Sequence, residues 1–248
     1  MRYFLSLAYN GTPFHGWQRQ PNASSVQETL EEALSTLLGQ PIAIMGAGRT
    51  DTGVHAKQMV MHFDVDIDTE TEKNLVHMLN RYLNENIVIH SLRPVKEEAH
   101  ARFDATHRTY EYHIAFQKNP FKHNAHHILH TPPDIALMNE AANYLLQHSD
   151  FEAFSKTHTD VKTFLCDISF AHWVSTEDGA IFTITANRFL RNMVRAIVGT
   201  LLDVGTKKIA VDEINRIIES RDRGQAGFSV PACGLYLTEI NYPSEVYI

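Results

Sequence analysis

The sequence predicts an α+β fold with largely antiparallel sheets and helices on one face. Three observations point that way. Apolar residues alternate at period two in several separate stretches, helical stripes of period 3.6 fall between them, and the elements come in two successive strand-and-helix groups. Residues 2–9 open the chain with Tyr3, Leu5, Leu7 and Tyr9 set against Phe4, Ser6 and Ala8, a strand pattern. Residues 9–22, YNGTPFHGWQRQPN, are rich in turn formers. Ser25 and Glu28 then have capping-box spacing, and Val26, Leu30, Ala33, Leu34 and Leu37 form a helical stripe that stops at Gly39. A strand over 41–45, a Gly-bearing turn over 46–56, a strand over 58–64, a helix over 71–83 and a strand over 87–92 complete the first group.

The second group begins with Tyr110, Tyr112, Ile114 and Phe116 on one face of a strand, followed by a helix over 133–146. Strands over 164–174 and 180–187 flank STEDG, a turn signal, and read as a hairpin. Helices over 189–204, stopping at Gly205, and over 211–220 precede a final strand over 235–242. The boundary between groups falls near 100–108, which divides the chain into lobes 1–104 and 105–248.

Composition narrows the function classes. With 248 residues, 44% of them hydrophobic, the chain is neither disordered nor low in complexity. No apolar run approaches the roughly 20 residues of a membrane span, and no small-residue cleavage pattern follows the opening MRYFLSLAYNGT. Two cysteines, Cys166 and Cys233, are too few for a disulfide framework and suit a reducing cytosol. A net charge of −7 confines any nucleic-acid surface to a local basic patch. The densest histidine group, HNAHH at 123–127, has no metal-ligand frame around it and reads as a polar surface loop.

GAGRTDTGVHA at 46–56 is the most informative segment, with Gly46, Gly48 and Gly53 around an Arg and an Asp two residues apart. Asp51-Thr52-Gly53 spells the aspartic-protease triplet, but such enzymes need two carboxylates sharing a proton, and only one DTG is present. A phosphate cradle of the GxGxxG kind would need Gly at position 51 and a helix after it, and neither is there. The third reading is a carboxylate kept ionised beside Arg49, acting as nucleophile or general base. Against it stands a plain turn capped by Arg49 and Asp51. Arg188, Arg191 and Arg195 fall at i, i+3 and i+7 of the late helix and give it a basic face, while Leu190, Val194, Ile197 and Leu201 cover another. Phe14 and Trp17 fit base stacking and loop anchoring equally well, and His55, following the turn, suits a bond to the turn's own backbone.

The string GRTDTGVHA closely resembles the signature loop of the tRNA pseudouridine synthase A (TruA) family. YNGTPFHGWQRQ, VQETLEEAL, HARFDATHRTYEY, FLRNMVRAIVG and PACGLYL resemble further motifs of that family in the same order, over nearly the whole chain. The stretch KTHTDVKTFLC at 156–166 departs from the commoner pattern. The resemblance implies two similar RRM-like lobes forming a central, mostly antiparallel mixed sheet, with the active-site cleft between them. It implies isomerisation of uridine to pseudouridine at positions 38 to 40 of the tRNA anticodon stem-loop, by a cytoplasmic homodimer, with no cofactor and no metal. By the same resemblance Asp51 is the catalytic nucleophile, Arg195 its charge partner, Tyr110 the aromatic that packs on the uracil, and Arg49 the residue that helps to flip the base. Arg188 and Arg191 are left for the RNA backbone, and Tyr112 for packing.

Overall fold

The structure is a computed structural model that describes residues 1–157 and 162–248. Among these are nine β strands and five α helices, an α+β fold with antiparallel pairing predominating. The chain divides into two compact units, 1–106 with 236–248, and 107–235. The predicted lobes are consecutive pieces of chain, whereas the first unit also takes up the C-terminal residues.

In the first unit, β1 (Arg2–Tyr9) lies between β4 (Ile87–Val95) and β3 (His55–Asp64), antiparallel to both. The two-residue β2 (Met45–Gly46) adds to β3. The final strand β9 (Leu235–Asn241) runs parallel to β3, with Tyr236 opposite His55. Tyr3, Leu5 and Leu7 are buried on one face, and the Tyr3 hydroxyl donates to Glu72 of α2 (Thr69–Tyr82) at 3.2 Å. Helix α1 (Val26–Leu38) starts as predicted, with Glu28 N–H donating to Ser25 Oγ at 3.2 Å, a cap worth about 1 kcal/mol. It ends at Gly39, in the left-handed region at φ 68°. The opposite sheet face carries Phe4, which Tyr242 meets edge-on at 5.0 Å.

His62 of β3 is also buried there. Its Nδ1 accepts from Ala101 N–H at 3.1 Å, and its ring meets that of His100 at 4.6 Å. Burial, helped by the charges of Arg2 and His100, pushes its pKa down to about 4.

In the second unit, β8 (Gly179–Ala186) lies antiparallel between β5 (His107–Ala115) and β7 (Ile168–Ser175). The short β6 (His127–Ile128) adds to β5 in parallel. Tyr112, Ile114, Phe182, Ile184 and Trp173 bury one face, with Trp173 stacked on Phe182 at 5.0 Å. Helices α3 (Ile135–Leu145), α4 (Met193–Gly205) and α5 (Glu213–Ser220) complete this unit, and α3 packs against β7, α4 and α5.

In each unit an end strand is clamped by an asparagine from a neighbouring helix. In the first unit Asn80 of α2 donates to Ile89 C=O at 2.8 Å and accepts from Ile89 N–H at 2.7 Å. In the second, Asn139 of α3 does the same for Trp173, at 3.0 and 2.7 Å.

Several expectations are corrected. The stretch 41–44 is no strand, because α1 side chains take its backbone. Ser35 Oγ accepts from Ile42 N–H, Glu31 accepts from Ile44 N–H, and Gln27 donates to Ile44 C=O. The histidine-rich stretch is not wholly a loop, since His127 enters β6 and is half-buried. The late helix begins at Met193 rather than at 189. Asn192 sits at φ 67°, ψ 0°, a left-handed conformation that interrupts a right-handed helix and that Asn tolerates better than most residues. Arg188 and Arg191 therefore precede the helix, and the three arginines do not share one helical face.

Candidate active site

The segment around Asp51 is a loop clamped from below by the turn-rich stretch that follows β1. Trp17, 3% exposed, donates its backbone N–H to Thr50 C=O at 3.1 Å, and its ring fills the space above Gly46. A Cβ on Gly46 would lie 2.5 Å from that ring. The Tyr9 hydroxyl bonds Thr50 Oγ1 at 2.8 Å in a buried setting. Gly16 adopts φ +91° and passes so close that a Cβ would lie 2.5 Å from Thr50 C=O, which only glycine accommodates without strain. Past Asp51, its carbonyl accepts from Val54 N–H at 3.1 Å, across a turn with Gly53 at φ 77°. His55 Nδ1 accepts from Gly11 N–H at 3.1 Å, and the ring stacks on Tyr236 at 4.6 Å and 19°.

Residue 50 is thus buried and residue 54 is buried, while Asp51 between them is half-buried and Arg49 is exposed. Such a loop holds a carboxylate at a fixed place without covering it. Phe14 and Trp17 turn out to be anchors, both buried, and the backbone that His55 holds is that of Gly11 in the stretch after β1, rather than that of its own turn as expected. The residues that sequence reasoning passed over here are Tyr9, Gly16 and Tyr236. Their signal was in the chain, since Tyr9 and Gly16 lie in YNGTPFHGW and Tyr236 in PACGLYL.

The remaining predicted residues belong to the second unit. Tyr110 lies on β5 opposite Ile184, half-buried, and meets Phe189 edge-on at 5.1 Å and 87°. Tyr112 is fully buried and donates to Pro231 C=O at 2.9 Å, and burial raises its phenol pKa. It is a packing residue, as expected. Arg195 stands in the first turn of α4, with Nε donating to Val230 C=O at 2.7 Å and its own carbonyl accepting from Val230 N–H at 3.2 Å. Arg188 Nη1 donates to Thr163 C=O at 3.4 Å, and Arg191 is exposed. The odd stretch 156–166 is described only in part, since 158–161 lie outside the described residues.

Among the described residues, no group of three or more His, Cys, Asp or Glu side chains could hold a metal ion. No described helix is long and apolar enough to cross a membrane.

A family profile described as tRNA pseudouridine synthase matches residues 6–104 and 141–243. The chain is 52% identical to tRNA pseudouridine synthase A of Porphyromonas gingivalis, over 100% of its own length and 99% of the relative's. It is 50% identical to the protein of that name from Bacteroides fragilis, over 99% and 98% of the two lengths. For the one from Parabacteroides distasonis the identity is 49%, again over 99% and 98%. The matched segments take in both the clamped Asp51 loop and α4, and the chain belongs to the tRNA pseudouridine synthase A family.

Proposed function

We propose that this chain isomerises uridine to pseudouridine in tRNA, at positions 38 to 40 of the anticodon stem-loop. The observation that carries the reading is the Asp51 loop, a half-buried carboxylate whose flanking residues are fixed by buried partners, in a chain of this family. In the reaction the N1–C1′ bond breaks, the uracil turns, and C5 bonds C1′. The C5 proton leaves and N1 gains one, so the balance needs no redox partner, cofactor or metal.

A uridine inside a stem must first be extruded, at a cost of a few kcal/mol. Arg49 assists that step, and Tyr110 packs on the extruded uracil. Asp51 is the nucleophile and Arg195 its charge partner, while Arg188 and Arg191 contact phosphates. In this reading the lobe 1–104 brings the nucleophile, the lobe 105–248 brings the stacking tyrosine and Arg195, and the enzyme works as a cytoplasmic homodimer.

The test is to incubate purified protein with pre-folded, unmodified tRNA transcripts and to locate pseudouridine by mass spectrometry, with and without a chelator. Pseudouridine at 38 to 40 in both arms is expected. Product elsewhere would overturn the position, no product the activity, and chelator-sensitive product the metal-free chemistry.

A further inference from the structure

We infer that Arg223 is a positioning residue for the isomerisation, acting through the segment 226–230 to fix the guanidinium of Arg195. The inference rests on the reading that Arg195 serves the reaction.

Arg223 lies in the turn after α5, half-buried. Its Nη1 donates to Ala226 C=O at 3.2 Å and to Gly227 C=O at 3.0 Å, and its Nη2 donates to Ser229 Oγ at 2.9 Å. One planar fork therefore ties down three positions of the segment, a geometry that a lysine ammonium cannot reproduce. The same serine oxygen accepts from Asn192 Nδ2 at 2.6 Å, and Asn192 is the left-handed residue from which α4 starts. One residue further on, Val230 is fully buried and exchanges both of its backbone groups with Arg195, its carbonyl taking Nε.

The segment is also pressed against α4 itself. Gly227 N–H donates to the buried Thr200 Oγ1 at 2.8 Å, and a Cβ on Gly199 would overlap the Phe228 carbonyl. Arg223 thus reaches Arg195 by a short covalent and hydrogen-bonded route: Arg223 to Ser229, Ser229 to Val230, Val230 to Nε. Partial burial of Arg223 lowers its pKa, so holding a charge here is costly, and its donors go to two backbone carbonyls and one hydroxyl of the segment.

Single-turnover rates at saturating enzyme, tRNA affinity and melting temperature test the inference on Arg223→Ala, Arg195→Ala and the double variant. Because a small misplacement of a reacting group is expensive, Arg223→Ala should slow the chemical step by about tenfold or more while affinity stays within about twofold. In the Arg195→Ala background the same change should cost less than about twofold, since residues acting in series are not additive. Arg223→Lys should rescue little, and Ser229→Ala, a milder lesion that keeps the fold accessible if Arg223→Ala does not fold, should lose rate without losing affinity. A normal rate in both Arg223→Lys and Ser229→Ala, or losses that multiply in the double variant, would overturn the inference alone. A normal rate in Arg195→Ala would overturn it together with the role proposed for Arg195.

Discussion

The Asp51 loop and the Arg195 turn are fixed by different means. In the first unit, position is enforced chiefly by packing and backbone: a buried tryptophan, glycines where no Cβ fits, and backbone bonds from residues far away in sequence, with the Tyr9 and His55 side-chain bonds beside them. In the second, position comes from polar side chains that grip backbone carbonyls, with Arg195 itself one of the grips. A loop held by shape fails when atoms are added or removed beneath it. A helix start held by hydrogen bonds fails when a single donor is lost. The two regions should therefore respond to different substitutions, and the following expectations exploit that.

The largest effect is expected for Asp51→Asn, which keeps the shape of the loop and removes only charge and nucleophilicity. Pseudouridine formation should fall below detection while tRNA affinity changes by no more than about tenfold, or 1.4 kcal/mol. A normal rate would show that the clamped loop presents something other than its carboxylate.

Trp17→Ala attacks the clamp without touching the carboxylate. Emptying the space over Gly46 should cost about 3–5 kcal/mol in denaturant unfolding, as for other buried aromatics, and turnover should fall with it. Unchanged turnover in folded protein would break the link between packing and placement.

In the first unit an acid-sensitive step should belong to His62. His62 is held neutral, with its folded pKa near 4 against an ordinary 6.5, so the unfolded chain takes up the proton first. Its contribution is complete above pH 6.5 and is lost as pH falls from 6.5 toward 4, by up to about 3 kcal/mol. Urea midpoints across that range should slope down for the wild type and less steeply for His62→Gln. Equal slopes in the two proteins would place the acid sensitivity elsewhere.

The smallest effect is expected for Arg191→Ala. Exposed and ahead of the helix, it should weaken tRNA binding in a salt-dependent way, lower the salt slope by about 1, and leave the chemical step alone. A loss of chemistry equal to that of Arg195→Ala would erase the distinction between phosphate contact and charge partner.

Most of the fold was legible in the sequence because strands and helices here obey their periods. The strand over 2–9, the Ser25 cap and the stop at Gly39 all stand where the pattern puts them. What was not legible depended on side chains reaching across the chain. Ile42 and Ile44 alternate like a strand, yet Gln27, Glu31 and Ser35 take their backbone. The spacing of Arg188, Arg191 and Arg195 fits a helix, yet Asn192 turns left-handed with its amide drawn to Ser229, which lies on a loop that no local period connects to it. For the candidate site, its glycines singled out the Asp51 loop but only the resemblance of the longer string marked it as catalytic, while the Arg223 fork left no local trace.

The asparagine clamps on the two end strands carry a kinetic consequence. An outward-facing amide at a sheet margin ordinarily exchanges its proton with water quickly, because nothing need unfold to expose it. The amides of Ile89 and Trp173 are instead closed by Asn80 and Asn139, each offering the donor–acceptor pair of a peptide group. Their protons are released only when α2 or α3 moves away from its strand. Slow deuterium uptake at these two marginal amides would therefore time the undocking of a helix, one clock for each unit.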